Sequence, residues 1–126
     1  MRNGNRNVQT QIRRMVKRIV AKFHPERVIL FGSHARGDAG PDSDVDLLVV
    51  MPVEGSKREK RLEIQAALKE RHIPLDVIVT RPEDFLWRKD MVGTIEWPAA
   101  REGKVLYASA GQKPRRNAVG MGRKAM

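Results

Sequence analysis

The sequence predicts an α/β fold, in which helices flank a small mixed β-sheet of three to four strands. Amphipathic segments alternate along the chain with short, nearly continuous apolar runs, a pattern typical of helices that cover a buried sheet. The length of 126 residues, of which 40% are hydrophobic, fits one domain. We therefore expect a single domain over residues 8–107, between a flexible N-terminus at residues 1–7 and a basic, disordered tail at residues 108–126.

Two helices and two strands are predicted in the first part of the chain. Over residues 8–23, apolar side chains recur at helical spacing opposite a face rich in arginine and lysine, and Pro25 follows the end of this helix. Residues 27–31 and 45–51 are short apolar runs and are predicted to be strands. Residues 57–71 have a broad apolar face at helical spacing, which predicts the second helix.

The remaining elements are shorter. Residues 75–80 read Leu-Asp-Val-Ile-Val-Thr and form the third predicted strand. A capping box at residues 80–83 (Thr-x-x-Glu) predicts that a third helix begins there and runs over residues 82–90. A weaker helical pattern follows at residues 92–101, and a last short strand is expected at residues 105–107.

The composition excludes several classes of protein. The chain has no cysteine, which excludes disulfides, cysteine-based zinc sites and thiol catalysis, and which indicates a reducing compartment. The longest apolar runs are far too short to cross a bilayer, and the N-terminal residues lack the apolar stretch of a signal peptide. We therefore expect a cytoplasmic protein that does not associate with a membrane.

The net charge of +10 is concentrated at the two ends of the chain. Residues 1–25 carry seven Lys or Arg and residues 112–126 carry five, and neither segment contains an Asp or Glu. All fifteen acidic residues lie in the body between them. RNA or another acidic partner is therefore a candidate to bind the first helix and the tail, although a basic helix face is usually just solvated.

Three aspartates lie at strand starts, where apolar residues would fit better. Asp44 and Asp46 are two positions apart at the start of the second strand, so their side chains point to one face. Asp76 faces the same site if the second and third strands are neighbours. Grouped carboxylates repel each other unless a cation binds between them, and all-oxygen ligands favour Mg²⁺ or Mn²⁺. Asp44, Asp46 and Asp76 are therefore predicted to be metal ligands and catalytic residues, with Asp76 either holding a second metal or acting as general base.

A glycine-serine turn directly follows the first strand. Gly32 lets the backbone approach a phosphate closely, and Ser33 offers a hydroxyl beside the N–H groups of a helical turn. Arg36 either braces this loop through Asp42 or Asp44 or reaches a phosphate. We therefore predict that Gly32 and Ser33, and Arg36 in the second of these alternatives, bind a phosphate group of the ligand.

Each of these features also has an ordinary explanation when it stands alone. A Gly-Ser pair is usually a turn, an Asp-x-Asp pair is often a solvated strand end, and Asp76 alone is more often an exposed edge residue. Taken together, in this order and each at a strand end, the three features are much harder to assign to chance.

Two segments carry a resemblance to a known family. Gly-Ser-His-Ala-Arg-Gly at residues 32–37 and Ser-Asp-Val-Asp-Leu-Leu-Val at residues 43–49 resemble the paired signature of the DNA polymerase β nucleotidyltransferase superfamily. The small size and the ending at residues 101–107 are similar to its minimal nucleotidyltransferase (MNT) branch, and the similarity runs over residues 8–107. Asp76 falls where the family carries its third carboxylate.

The resemblance implies a nucleotidyltransferase-type fold and the Mg²⁺-dependent transfer of a nucleoside monophosphate, most simply AMP from ATP, to a hydroxyl with release of pyrophosphate. It also implies a HEPN-domain partner, because MNT proteins are commonly the antitoxins of HEPN/MNT toxin–antitoxin pairs and some transfer AMP to a tyrosine of the HEPN toxin. Pro98 departs from the pattern, so the last helix is expected to kink or to begin later. The alternative function is a non-catalytic antitoxin, or a nucleotide- or RNA-binding module, that works by binding its partner.

Overall fold

The computed structural model describes residues 4–69 and 73–109, with side chains from Val8 onward. The predicted helices and strands occur in the predicted order, and the structure adds one single-turn helix after the first strand. In chain order the elements are α1 (Gly4–Phe23), β1 (Arg27–Phe31), α2 (Ser33–Arg36), β2 (Val45–Val50), α3 (Lys57–Ala67), β3 (Leu75–Thr80), α4 (Pro82–Arg88), α5 (Glu96–Glu102) and β4 (Lys104–Ala108). No helix in this part of the chain combines the length and the apolar character that a membrane span requires.

The four strands form one sheet in the order β3–β2–β1–β4. β1 is antiparallel to both β2 and β4, whereas β2 and β3 are parallel. The predicted α/β class with a small mixed sheet is thereby confirmed. Because of these directions, the end of β1 and the starts of β2 and β3 meet at one end of the sheet. We call this end, marked by Phe31, Asp46 and Asp76, the acidic end.

Different helices cover the two faces of the sheet. One face packs against α1 and α3, whose Ile19 and Ile64 are completely buried. The opposite face packs against α4 and α5 through Phe85 and Ala99. Burial of each large aliphatic side chain contributes about 1.5–3 kcal/mol, so these contacts hold the strands in place on both sides. The short strands are almost continuously apolar because both of their faces are covered.

The N-terminal boundary differs from the prediction. α1 begins at Gly4 rather than at residue 8, so residues 4–7 of the segment that was expected to be flexible are helical. These residues are polar and carry no apolar spacing, and the sequence pattern therefore could not reveal them. Residues 1–3 and most of the predicted tail, residues 110–126, lie outside the described residues.

The capping box predicted at residues 80–83 is wrong. The N-cap of α4 is Arg81, and no side chain accepts a hydrogen bond at that cap. The hydroxyl of Thr80 instead donates to the carboxyl of Glu96 at 2.7 Å, and both side chains are buried. The hydroxyl that the local pattern assigned to the helix cap thus forms a tertiary hydrogen bond with Glu96 instead.

The remaining boundary differences are small. α3 ends at Ala67, short of the predicted end at residue 71, and α4 ends at Arg88 rather than at residue 90. α5 begins at Glu96 instead of residue 92, which places Pro98 in its first turn, where a missing backbone N–H costs nothing. The later helix start that the sequence offered as one of two outcomes is confirmed.

Candidate active site

Asp46 and Asp76 stand opposite each other on neighbouring parallel strands. The register pairs Asp46 of β2 with Asp76 of β3, and on the other side of β2 it pairs Asp46 with Phe31 of β1. Side chains in register on adjacent strands point to the same face of a sheet. The sequence places Asp76 at the site of Asp46 only if the second and third strands are neighbours, and the structure confirms that they are.

The carboxylates at the acidic end act on one another electrostatically. Asp44 lies immediately before β2. The pKa of Asp46 is raised, first because burial disfavours its charged form and then because Asp76 and Asp44 repel it. His34 and Arg36 act in the opposite direction and favour the ionised form of Asp46. The acidic end thus concentrates negative charge in a partly buried position.

Gly32 brings the main chain against the carboxylate of Asp46. Its backbone has φ 77° and ψ −157°, a conformation with positive φ that residues with a side chain rarely adopt. A Cβ atom at this position would overlap with Oδ2 of Asp46. Glycine is therefore needed both for the turn and for this close approach, which places the end of β1 next to the carboxylates.

The single turn α2 holds the loop after Gly32 in a fixed shape. The carbonyl of Gly32 accepts hydrogen bonds from two backbone N–H groups of α2, each at 3.0 Å. The carbonyl of Ser33 accepts from the N–H groups of Gly37 and Asp38 at 2.9 and 3.1 Å. The main chain of Gly32 and Ser33 is therefore preorganised beside the acidic end, and phosphate binding by these residues stays a prediction.

Arg36 makes ion pairs that the sequence did not predict. Its guanidinium contacts the carboxylate of Asp38 at 3.2 Å and that of Glu102, at the end of α5, at 3.6 Å. Among the described residues, Arg36 makes no ion pair with Asp42 or Asp44, so the prediction that it braces the loop through one of them is wrong. All three side chains are about half exposed, which leaves Arg36 able to exchange these contacts for a phosphate.

His34 fixes the segment that leads into β2. Its Nε2 lies 3.2 Å from the carbonyl oxygen of Ser43, the residue before Asp44. The hydroxyl of Ser43 in turn accepts a hydrogen bond from the backbone N–H of Gly40 at 2.8 Å. These contacts connect α2 to the start of β2 and therefore set the position of Asp44.

Arg61 belongs to the acidic end and was missed by sequence reasoning. Its Nη2 lies 3.4 Å from Oδ1 of Asp76. In the sequence it is one of several cationic residues on α3, and neither its type nor its spacing distinguishes it from Arg58 or Lys60. Only the packing of α3 beside β3 could reveal the contact.

The residues at the acidic end fit a divalent cation that arrives with a nucleotide. Their donors are carboxylate oxygens, which Mg²⁺ and Mn²⁺ prefer, and a cation would relieve the repulsion that Asp76 and Asp44 exert on the ionised carboxylate of Asp46. Across residues 4–69 and 73–109, no three His, Cys, Asp or Glu side chains are already arranged to enclose a metal. Mg²⁺ commonly uses only one or two carboxylates and completes its shell with water and phosphate oxygens.

A separate cavity of about 330 Å³ lies on the face of the sheet that α4 and α5 cover. Its lining includes Arg27 and Val50, which stand at the end of the sheet opposite the acidic end, and Phe85 and Leu86 of α4. The three aspartates do not line it. The cavity is therefore distinct from the carboxylate site.

Comparison with protein families and curated proteins gives consistent matches. The model of the family described as "Nucleotidyltransferase domain" matches residues 12–97, a range that contains every predicted site residue. "Putative protein adenylyltransferase MJ0604" from Methanocaldococcus jannaschii is 29% identical over 104 residues, which cover 80% of this chain and 99% of that protein. "Putative protein adenylyltransferase MJ0141" from the same organism is 48% identical over 48 residues, 38% of this chain and about half (48%) of that relative.

Solved structures share the fold. A "putative nucleotidyltransferase" from Sulfolobus solfataricus has a TM-score of 0.59 at 22% identity and covers 82% of this chain and 83% of its own. A toxin–antitoxin structure with AMP-PNP has a TM-score of 0.51 at 17% identity, with coverages of 79% and 75%. A mutant of the toxin–antitoxin MntA-HpeT has a TM-score of 0.51 at 16% identity, with coverages of 78% and 73%. At these identities the likeness establishes a nucleotidyltransferase-type fold, as the resemblance implied.

Proposed function

Because the chain belongs to the nucleotidyltransferase domain family, we propose that it transfers AMP from ATP to a hydroxyl group of a protein acceptor. The observation that carries the proposal is the pairing of Asp46 with Asp76 beside Gly32 at one end of the sheet. The two relatives that are named protein adenylyltransferases support AMP as the transferred group and a protein as the acceptor.

Asp44, Asp46 and Asp76 are the residues that would hold a divalent cation, Mg²⁺ or Mn²⁺. Bound there, the cation would neutralise the triphosphate and favour the ionised acceptor hydroxyl. The fold places these negatively charged carboxylates close together. Burial, and then repulsion from Asp76 and Asp44, raise the pKa of Asp46 and disfavour its ionised form, and the repulsion would be relieved by a positive charge.

In the proposed transfer, the acceptor oxygen forms a bond to the α-phosphorus of ATP. The bond between the α-phosphorus and the bridging oxygen breaks, and pyrophosphate leaves. Asp76 accepts the proton of the hydroxyl, a role for which its side chain is suitably placed because 40% of it is exposed to an incoming acceptor. The preorganised main chain of Gly32 and Ser33, together with Arg36, binds the phosphates of ATP.

The acceptor is proposed to be a tyrosine of a HEPN-type toxin, with this chain acting as the antitoxin. The carboxylates lie at an open end of a small domain, and Asp76 is partly exposed. A domain of this size offers little surface to enclose both a nucleotide base and an acceptor, so a partner is expected to complete the site. The toxin–antitoxin structures with the same fold support a toxin partner.

The test is the transfer of label from ATP that is radiolabelled at the α-phosphate to the partner protein, in the presence of Mg²⁺. We expect the wild type to label the partner and the double variant Asp44→Asn/Asp46→Asn to lose at least 100-fold of the rate, about the contribution of positioned carboxylates. Asp42→Asn is the matched control, because it removes an exposed carboxylate from the same loop. Equal labelling by the double variant would reject the assigned site.

A second candidate function is supported by α1. Arg13, Arg14 and Lys17 form an exposed cationic stripe opposite the buried apolar face of this helix. On this hypothesis the protein neutralises its partner by binding it or RNA, without transferring a nucleotide. The double variant Asp44→Asn/Asp46→Asn would then still neutralise the toxin, and RNA binding would weaken steeply with salt. Loss of neutralisation in a folded double variant would reject this hypothesis.

A further inference from the structure

Arg61 contacts the acidic end but has no part in the proposed transfer. Its Nη2 lies 3.4 Å from Oδ1 of Asp76, and the two side chains are 43% and 40% exposed. Asp76 stands in register with Asp46 on the adjacent strand, so the guanidinium of Arg61 contacts one of two neighbouring carboxylates on the same face of the sheet. The guanidinium therefore supplies positive charge to the carboxylates that are predicted to bind a divalent cation.

We propose that Arg61 is a positioning residue that occupies Asp76 while no cation is bound, and that it competes with the metal ion for this carboxylate. The proposal rests on the proposed function, because it assumes that Asp76 belongs to the metal–nucleotide site. In the metal-free protein the contact offsets the repulsion between Asp76 and Asp46. Binding of a cation requires Arg61 to release Asp76.

The geometry of the contact suits a releasable residue rather than a fixed brace. An arginine that anchors a carboxylate permanently usually makes two parallel hydrogen bonds of 2.7–2.9 Å. Arg61 makes one contact of 3.4 Å, and its Nε is buried with no hydrogen-bond partner in the described part of the chain. Because both side chains are also partly exposed, water can replace the contact at small cost.

Competition has a consequence that distinguishes it from a structural role. Removing Arg61 takes away the positive charge that contacts Asp76 beside Asp46, so the metal-free protein should lose stability. The same change removes the competitor and adds net negative charge to the site, so cation binding should become tighter. A residue that merely held Asp76 in a ligating position would have the opposite effect on cation binding.

The experiment compares Arg61→Gln with Arg58→Gln in the full chain. Arg58 is an exposed residue of the same helix, so its replacement removes the same charge without touching Asp76. Binding of Mn²⁺ is measured by electron paramagnetic resonance in the presence of a non-hydrolysable ATP analogue. We expect Arg61→Gln to lower the dissociation constant by about two- to fivefold, the range of a partly exposed ion pair. Arg58→Gln and the charge-conserving Arg61→Lys should stay near the wild type.

Melting temperatures in EDTA supply the second readout, and Arg61→Gln is expected to melt below Arg58→Gln. Weaker Mn²⁺ binding by Arg61→Gln, or binding equal to that of Arg58→Gln, would overturn the competition. The variant Asp44→Asn/Asp46→Asn reports separately on the proposed function. If it binds Mn²⁺ as the wild type does, the metal site is elsewhere and the proposed function fails. If Mn²⁺ binds to none of the variants, both proposals fail.

Discussion

Gly32 and Asp46 are in such close contact that a methyl group on the glycine would overlap with the carboxylate oxygen Oδ2 of the aspartate. The contact joins the end of β1 to the start of β2, which are antiparallel neighbours. Since Asp46 also faces Asp76, a side chain at position 32 would disturb the carboxylate pair as well as the turn. The turn and the carboxylates therefore form one unit.

The substitution Gly32→Ala is expected to destabilise the protein and to abolish nucleotide transfer. The positive φ of 77° alone costs a residue with a side chain about 1–3 kcal/mol, and the new methyl group must displace Asp46. Urea unfolding measures the first effect, and transfer of labelled AMP measures the second. Gly40→Ala is the control, since its Cβ would lie 3.9 Å from the hydroxyl of Ser43 in ordinary contact. Full activity of Gly32→Ala would contradict the assigned role of the turn.

The carboxylates and the turn were predictable from the sequence because they lie at strand ends that the apolar pattern marks. Asp46 and Asp76 interrupt otherwise apolar strands, and Gly32 follows directly after one. The order of the strands was not predictable, because the apolar pattern does not say that β4 pairs with β1 rather than with β3. The sequence therefore named the carboxylates but only conditionally placed Asp76 beside Asp46.

The contacts that sequence reasoning missed depend on tertiary packing. Arg61 reaches Asp76 from a helix whose other cationic residues look identical in the sequence. Thr80 has the spacing of a helix cap, but its hydroxyl is used by Glu96, sixteen residues further along the chain. Arg36 pairs with Asp38 and Glu102 rather than with Asp42 or Asp44, the two partners that the sequence suggested. Local sequence patterns cannot predict which of several possible partners a side chain contacts, because tertiary packing determines these contacts.

The substitution Asp46→Asn is expected to stabilise the metal-free protein at neutral pH while it abolishes transfer. Burial and the repulsion from Asp76 and Asp44 raise the pKa of Asp46, so the ionised carboxylate is less favourable in the folded protein than in the unfolded chain. Like charges opposite each other in a sheet cost about 0.2–1 kcal/mol, and this is the expected gain in the free energy of unfolding. Urea unfolding in EDTA measures it, with Asp42→Asn as the matched control.

The stabilisation by Asp46→Asn should depend on pH. Below the pKa of Asp46 in the unfolded chain, the carboxyl is protonated in both states of the wild type, and the destabilisation disappears. As the pH rises through the raised pKa of the folded state, the destabilisation of the wild type develops fully. The difference between the variant and the wild type is therefore expected to be small at pH 3 to 4 and largest at neutral pH. A variant that is less stable than the wild type at neutral pH would contradict this assignment.

Mg²⁺ and ATP together are expected to stabilise the folded protein, and each alone should do so less. A ligand at 100 times its dissociation constant raises the free energy of unfolding by about 2.7 kcal/mol, which differential scanning calorimetry detects as a higher melting temperature. The effect should vanish in EDTA and in the variant Asp44→Asn/Asp46→Asn, and it should persist in Asp42→Asn. An equal shift in the double variant would place the nucleotide away from the acidic end.

The buried pair of Thr80 and Glu96 is expected to stabilise the fold without affecting the site. Thr80→Val leaves the buried Glu96 carboxyl without its 2.7 Å donor, and an unsatisfied buried polar group costs about 1–3 kcal/mol. The double variant Thr80→Val/Glu96→Met removes both polar groups and should therefore be less destabilised than the sum of the two single variants. Urea unfolding of the four proteins gives this coupling.

Nucleotide binding provides the control for the Thr80 and Glu96 variants. Thr80 is the last residue of β3, whereas Asp76 is the second, so the pair is separated from the acidic end by most of the strand. Each variant that remains folded should bind ATP and Mg²⁺ as the wild type does. Additive destabilisation in the double variant would show that the two side chains contribute independently, and weakened nucleotide binding would show that this end of β3 is coupled to the carboxylates.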